Sequence, residues 1–380
     1  MARGGTKLIY LDYAANTPAE EAVLRRFCEV ERAYIANPNA SHAAGREAAQ
    51  ELARVTESIA ALLGARPEEV VLTSGASEAN NLAIKGIARM SRHVGRHIVS
   101  TALEHPSVSA CLTALQEQGY EIDLADIGRD GRIDTGSLRE LLRRDTVLLA
   151  MTLVDSELGT VQPAEEIAAI LKEYPACRLH IDATQAAGKI PFSFAGADTM
   201  TLAPHKFGGL NGSGILLRRQ GLVLEPLIHG GTGASAERSG TPALALAASA
   251  QTALELALAG REEHTAAVAG LSAWLKGELL RYPGVRVNSP AGAVPHIVNL
   301  SVAGVRGEAF AQALSEQGVC VSVKSACSVR GTPSKAVFAV SRDRKNALSS
   351  WRVSLSHRTT RAELSRFMEA FERCYKELVK

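Results

Sequence analysis

The chain is 380 residues long and 46% hydrophobic, enough to bury one large core and a smaller companion. Its 42 Lys and Arg nearly balance 40 Asp and Glu, so no net field favours direct binding of nucleic acid or an anionic membrane. The N-terminal run lacks an apolar signal core and no apolar stretch approaches membrane-spanning length, which makes the cytoplasm the expected compartment.

From about residue 18 to 255, helical periodicity alternates with short β-branched runs, predicting βα units and a mainly parallel sheet covered by helices on both faces. Strands are expected at 69–73, 96–101, 146–152, 177–182, 199–202 and 214–218. Open α/β sheets bind ligands beyond the carboxyl ends of their strands, and four such ends carry polar loops here: Ser74 to Ser77, Glu104–His105, Asp182 to Gln185, and His205–Lys206. An Ala-rich helix near 242–258 is followed by a long helix, two or three strands near 285, 297 and 319, and a C-terminal helix from Arg361. That change of pattern predicts a smaller α+β domain. The expected division is a large domain over 16–258, with 1–15 and 259–380 forming the small one.

Each loop has a chemical and a plain explanation. The run Thr73-Ser-Gly-Ala-Ser-Glu-Ala-Asn-Asn opens a helix after a strand, so its N–H groups and dipole suit a phosphate; an ordinary capped turn reads the same way. His105 can stack on an aromatic cofactor or cap the next helix, and Asp182 can be a functional acid or a turn aspartate. Lys206 follows an apolar strand, with Pro204 and His205 before it and a Gly-rich stretch after it, a setting for a buried, nucleophilic amine. A Schiff-base lysine facing an acid that keeps a pyridine nitrogen protonated is the requirement of pyridoxal 5′-phosphate (PLP).

The six cysteines form no Cys-x-x-Cys pair or zinc spacing, so neither a disulfide framework nor a metal centre is expected. Cys327 differs from the others because it leaves a strand for a Ser/Gly/Pro stretch with Lys324 and Arg330 nearby, which suits a reactive thiolate on a loop. Cys28, Cys111, Cys177, Cys320 and Cys374 read as small buried hydrophobes.

Together these runs resemble a PLP-dependent cysteine desulfurase of the NifS type, within the class V aminotransferase-like enzymes. The motifs are Tyr10-Leu-Asp-Tyr-Ala-Ala-Asn-Thr-Pro, Asn37-Pro-Asn-Ala-Ser-His-Ala-Ala-Gly, Thr73-Ser-Gly-Ala-Ser-Glu, Glu104-His105, Asp182-Ala-Thr-Gln, His205-Lys206, Arg238-Ser-Gly-Thr and Ser325-Ala-Cys. The resemblance implies the α/β PLP-dependent transferase fold of type I, with a mainly parallel seven-stranded sheet in the large domain and a smaller α+β C-terminal domain. It implies that Lys206 carries PLP, His105 stacks on the ring, Asp182 pairs with the pyridinium and Gln185 meets the ring hydroxyl. Ala76, Ser77 and His205 would hold the phosphate, joined by Thr241 from the partner subunit of a homodimer. Arg352 would bind the carboxylate of L-cysteine or a close analogue, and Cys327 would take the substrate sulfur as a persulfide for an acceptor or scaffold protein. His105 would relay a proton to the substrate thiol.

Three departures from the family pattern bear on substrate and partner. Asp155-Ser156-Glu157-Leu158-Gly159 stands where the family has Asn-Asn-Glu-x-Gly, so Ser156 replaces an asparagine that meets substrate carboxylate and ring oxygen. Ala203-Pro204 removes a hydroxyl donor before the His-Lys pair, and the run after His229-Gly-Gly lacks the usual polar residues. The rival expectations are another class V lyase or aminotransferase, selenocysteine lyase included, and a weakly active homologue that serves as a binding partner in sulfur transfer.

Overall fold

A computed structural model describes residues 8–231, 235–324 and 331–379. The first half of the chain runs β1 (Ile9–Tyr10), α1 (Glu21–Ala33), α2 (Ala43–Leu63), β2 (Val70–Thr73), α3 (Ala76–Met90), β3 (His97–Thr101), α4 (Pro106–Gln116) and β4 (Glu121–Ala125). It continues through α5 (Thr135–Leu141), β5 (Thr146–Thr152), α6 (Ala164–Leu171), β6 (Arg178–Asp182), β7 (Thr199–Leu202) and β8 (Gly214–Arg218). Then come α7 (Leu244–Ala259), α8 (Arg261–Leu279), β9 (Val285–Val287), β10 (Ile297–Val302), α9 (Gly307–Glu316) and β11 (Val319–Cys320). The chain ends with α10 (Lys335–Ser341), α11 (Arg344–Ser349), β12 (Ser350–Ser354) and α12 (Arg361–Leu378).

Seven strands form one sheet in the order β2-β8-β7-β6-β5-β3-β4, and the pairs from β7 through to β4 are parallel. Only β8 runs against its two neighbours, so the expected mainly parallel seven-stranded sheet is what forms. Period-two alternation splits β5 between the faces: Leu149 and Met151 enter the cluster with α1, α2 and α7, while Leu148 and Ala150 pack with α3 and α4. All six expected strands form within one residue of their predicted starts.

A second cluster is built on the antiparallel sheet β12-β10-β9 and on α8, α9 and α12, with Phe310 stacked on Trp351 at 5.2 Å and Phe371 beside them. The N-terminal β1 pairs in parallel with β11, which brings Ile9 and Leu11 into this cluster. Ala336, Val337 and Ala347, from α10 and α11, pack instead on the large core. Among the described residues no helix is long and apolar enough to cross a membrane.

Candidate active site

Asp182 ends β6 with its side chain buried, and a hydrogen-bond chain centred on Asn80 of α3 holds it. Asn80 Nδ2 donates to Asp182 Oδ2 at 2.8 Å and to Ser107 Oγ at 2.9 Å, while its Oδ1 accepts from His180 Nε2 at 3.1 Å. His180 Nδ1 in turn meets Thr199 Oγ1 at 2.9 Å, and burial holds this histidine below its ordinary range, hence neutral. Asp182 Oδ1 accepts from the Thr184 N–H at 2.9 Å. An ionised acid inside a protein needs such donors to remain in place.

His105 caps α4, its Nδ1 accepting from the Ser107 N–H at 3.1 Å and lying 2.8 Å from Ser107 Oγ. Because Ser107 Oγ already accepts from Asn80, its hydroxyl proton points to His105 Nδ1, which assigns the neutral ring proton to Nε2. Burial lowers the His105 pKa, Asp182 opposes that and Lys206 adds to it, so these three groups act on one another. The capping role and the functional position thus belong to the same side chain.

Lys206 ends a single 3₁₀ turn, Pro204–Lys206, directly after β7. Its Nζ donates to the carbonyls of Ala14 at 3.0 Å and Ala15 at 2.6 Å, in the loop after β1. Gln185 Nε2 donates to the same Ala14 carbonyl at 2.8 Å, whereas its buried Oε1 has no partner; nor has the buried Thr184 Oγ1. The turn is pinned from behind, since the His205 carbonyl accepts from both the N–H and the hydroxyl of Thr17. Burial, reinforced by Lys206, pushes the His205 imidazole down to about 4.

Gly75 precedes α3, and Ala76 and Ser77 form its first turn, with Ser77 exposed. Glu78 Oε2 accepts from the Ser74 N–H at 2.8 Å, and Arg238 Nε pairs with Glu78 Oε1 at 2.9 Å. The helix end is therefore an open anion cup with an acid at its rim that Arg238 neutralises. Ala203 is fully buried and supplies no hydroxyl, as its sequence requires. Thr241 is exposed, its Oγ1 accepting from Asn37 Nδ2 at 3.3 Å.

Arg352, on β12, is 1% exposed. Its Nη2 donates to Asp12 Oδ1 at 2.8 Å and its Nη1 to the Ser156 carbonyl at 2.6 Å, while the buried Nε has no partner. Arg352 and Ser156, predicted separately, are thus in contact. Beside them Asp155 is buried, and burial together with Glu157 lifts its carboxyl to about 7 despite the N–H groups of Glu157 and Leu158. Burial, then Asp182 and Asp155, lifts Glu104 to about 8 against the pull of the Thr101 hydroxyl and the Thr152 N–H.

PLP needs an amine, an acid for its ring nitrogen, a polar group for its ring oxygen and an anion cup. Lys206, Asp182, the unpartnered Gln185 Oε1 and the open end of α3 fit that set. Cys327 lies outside the described residues. Of the other cysteines, Cys111, Cys177 and Cys374 are buried as expected and Cys320 is half-buried. Cys28 is exposed, contrary to expectation, because α1 turns Val23 and Val30 inward and leaves position 28 outside. Asn80, Ser107 and Asp12 were not singled out by sequence; a wholly buried Asn between Ala79 and Leu82 on α3 is the one signal that marks its position.

The family model for class V aminotransferases matches residues 9–367. A cysteine desulfurase IscS of Dictyoglomus turgidum is 34% identical over 375 residues, covering 97% of this chain and 95% of its own. A solved NifS-like protein superposes with a TM-score of 0.92 at 29% identity, covering 98% of this chain and all of its own. A structure of SspA in complex with cysteine gives a TM-score of 0.80 at 30% identity, covering 92% of this chain and 99% of its own.

Proposed function

Because this chain belongs to the class V aminotransferase family and is a PLP-dependent cysteine desulfurase of fold type I, we propose that Lys206 carries the cofactor and that Asp182, Gln185, His205, Ala76 and Ser77 hold it. The observation that carries this assignment is the convergence of Lys206, Asp182 and His105 at three strand ends, with Asn80 and Ser107 joining the acid to the imidazole. Bound there, PLP supplies an electron sink for chemistry at the substrate α-carbon.

Lys206 Nζ, once its contacts to Ala14 and Ala15 are given up, is the base that moves the α-proton. Asp182 is oriented toward the ring position by the Asn80 amide and the Thr184 N–H. His105 holds a proton at Nε2 and enters the proton relay to the substrate sulfur as a donor. Arg352 takes the substrate carboxylate through its unpartnered Nε edge, in a position set by Asp12 and Ser156. Cys327 is the nucleophile that receives the sulfur of L-cysteine and hands it to an acceptor protein, with alanine as the other product. The enzyme acts as a cytoplasmic homodimer, and the division of its chain is 16–258 against 1–15 with 259–380.

Cys327→Ser is expected to retain the cofactor colour and its spectral response to L-cysteine, which need Lys206 and Asp182, while losing sulfide release. Mass spectrometry of the wild-type Cys327 peptide after brief exposure to cysteine without reductant should find one added sulfur. A Cys327→Ser variant making alanine and sulfide at the wild-type rate would remove Cys327 from the mechanism.

A further inference from the structure

Behind the Lys206 turn lies a cavity of about 490 Å³, between the β6–β7 crossover, the α7–α8 corner and the turn after β12. Lys206 lines it but His105, Asp182, Gln185 and Arg352 do not, so it meets the site assigned to the cofactor only at the lysine turn. Its polar wall carries several basic side chains. Lys189 is 9% exposed and its Nζ lies 3.5 Å from the Lys206 carbonyl. His296 is 5% exposed and its Nδ1 has no hydrogen-bond partner. His264 and His357 stack with ring centroids 4.0 Å apart and planes 16° apart.

The charged groups around Lys189 are Lys206 and Arg352, and those around His296 are Lys189, His264 and His357; all of them oppose a positive charge there. Burial adds to this and brings Lys189 down to about 7 and His296 to about 3. Glu20, which also lines the cavity, is engaged elsewhere: Arg358 Nη2 lies 2.6 Å from one of its oxygens and His357 Nε2 3.5 Å from the other. Tyr13, Pro18, Phe207, Leu256 and Leu355 give the wall an apolar part, beside Thr17, Lys206, Ser356 and Arg358.

Buried cationic groups are ordinarily paired with a carboxylate or directed to water. A lysine and an unpartnered imidazole facing an apolar-walled hollow are instead the complement of a ligand with one negative charge and a short apolar body. We propose that this cavity is a binding site for a small monocarboxylate, whose carboxylate sits between Lys189 and His296 and whose apolar part lies against Phe207 and Leu355. Because Lys189 touches the backbone of the Lys206 turn, a bound acid would act on the catalytic lysine from behind.

The experiment is calorimetric titration of the holoenzyme with acetate, butyrate and benzoate at pH 8, after borohydride reduction has locked the cofactor onto its lysine and closed the substrate site. Expected is saturable binding that tightens from acetate to benzoate, with net proton uptake seen as a buffer-dependent heat, since the anion recharges Lys189. Lys189→Met, which keeps the side-chain shape, should weaken benzoate at least tenfold and abolish the uptake. In histidine-labelled wild-type protein the His296 resonance should move with the same midpoint. Absence of saturable binding, affinity indifferent to the apolar body, or an unaltered Lys189→Met titration would each overturn the proposal.

Discussion

Asn80 decides how the Asp182 and His105 side chains share one electrostatic environment. Its amide donates to Asp182 and to Ser107, and Ser107 then fixes the His105 tautomer, so one residue sets both the orientation of the acid and the proton position of the imidazole. Asn80→Ala leaves a buried carboxylate short of a donor at a cost of about 1–3 kcal/mol, corresponding to roughly five- to 150-fold in an equilibrium or rate. Weaker PLP retention and slower alanine formation are expected, with a changed pH dependence of the holoenzyme spectrum; unchanged values for all three would deny Asn80 its positioning role. Glu104 gives a separate test through stability. Its carboxyl is lifted from 4.5 to about 8, so between those values the folded protein keeps a proton that the unfolded chain has lost. Stability must fall as pH rises through that window and level off above it. In thermal unfolding across the window, Glu104→Gln should lose that contribution, so that its melting temperature gains on wild type as pH rises; parallel curves would mean that Glu104 titrates normally.

At the scale of elements, the anion cup depends on how closely β8 approaches the turn before α3. A Cβ on Gly214 would lie 2.5 Å from the Gly75 carbonyl carbon and 2.5 Å from Thr73 Oγ1, and backbone cannot yield as a flexible side chain can. Gly214→Ala should therefore push the helix end outward and lower PLP affinity about tenfold or more, read by titrating apoprotein with PLP, while far-ultraviolet dichroism stays native. Affinity equal to wild type would show that the cup tolerates the shift. The same elements explain what the sequence could disclose. β5 and β7 are buried throughout and β6 from Leu179 on, so their apolar runs stood out, and Lys206 and Asp182 were legible because each follows such a run. β4 is an edge strand with exposed and half-buried residues, and β12 buries Ser and Arg among its apolar residues, so neither carries a clear strand signal. Asn80 and Asp12 stayed hidden for a related reason: their contacts with Asp182 and Arg352 join residues about a hundred or more positions apart, and no local pattern encodes such a meeting.

For the whole molecule the proposed homodimer makes a prediction about the anion cup at the start of α3. Ser77 and Thr241 are both exposed, and a cleft of about 610 Å³ lined by Ser74, Gly214 and Arg238 adjoins the cup, with Leu52, Leu246 and Ala250 as an apolar floor. A second copy of the chain placing its Thr241 at this cup would account for a hydroxyl that its own subunit offers only to Asn37 at 3.3 Å. Sedimentation should give about twice the 40.2 kDa chain mass, and Thr241→Ala should loosen PLP several-fold without dissociating the dimer, the scale of one lost hydrogen bond. Mixed dimers decide the geometry. Pairing a Thr241→Ala subunit with a Lys206→Ala subunit leaves one site with both its own lysine and the partner's threonine intact if Thr241 acts across the interface. Such heterodimers should then bind PLP at one site with wild-type affinity. If Thr241 served its own subunit, every site holding Lys206 would also carry the Thr241→Ala defect, and all binding in the mixture would be weak.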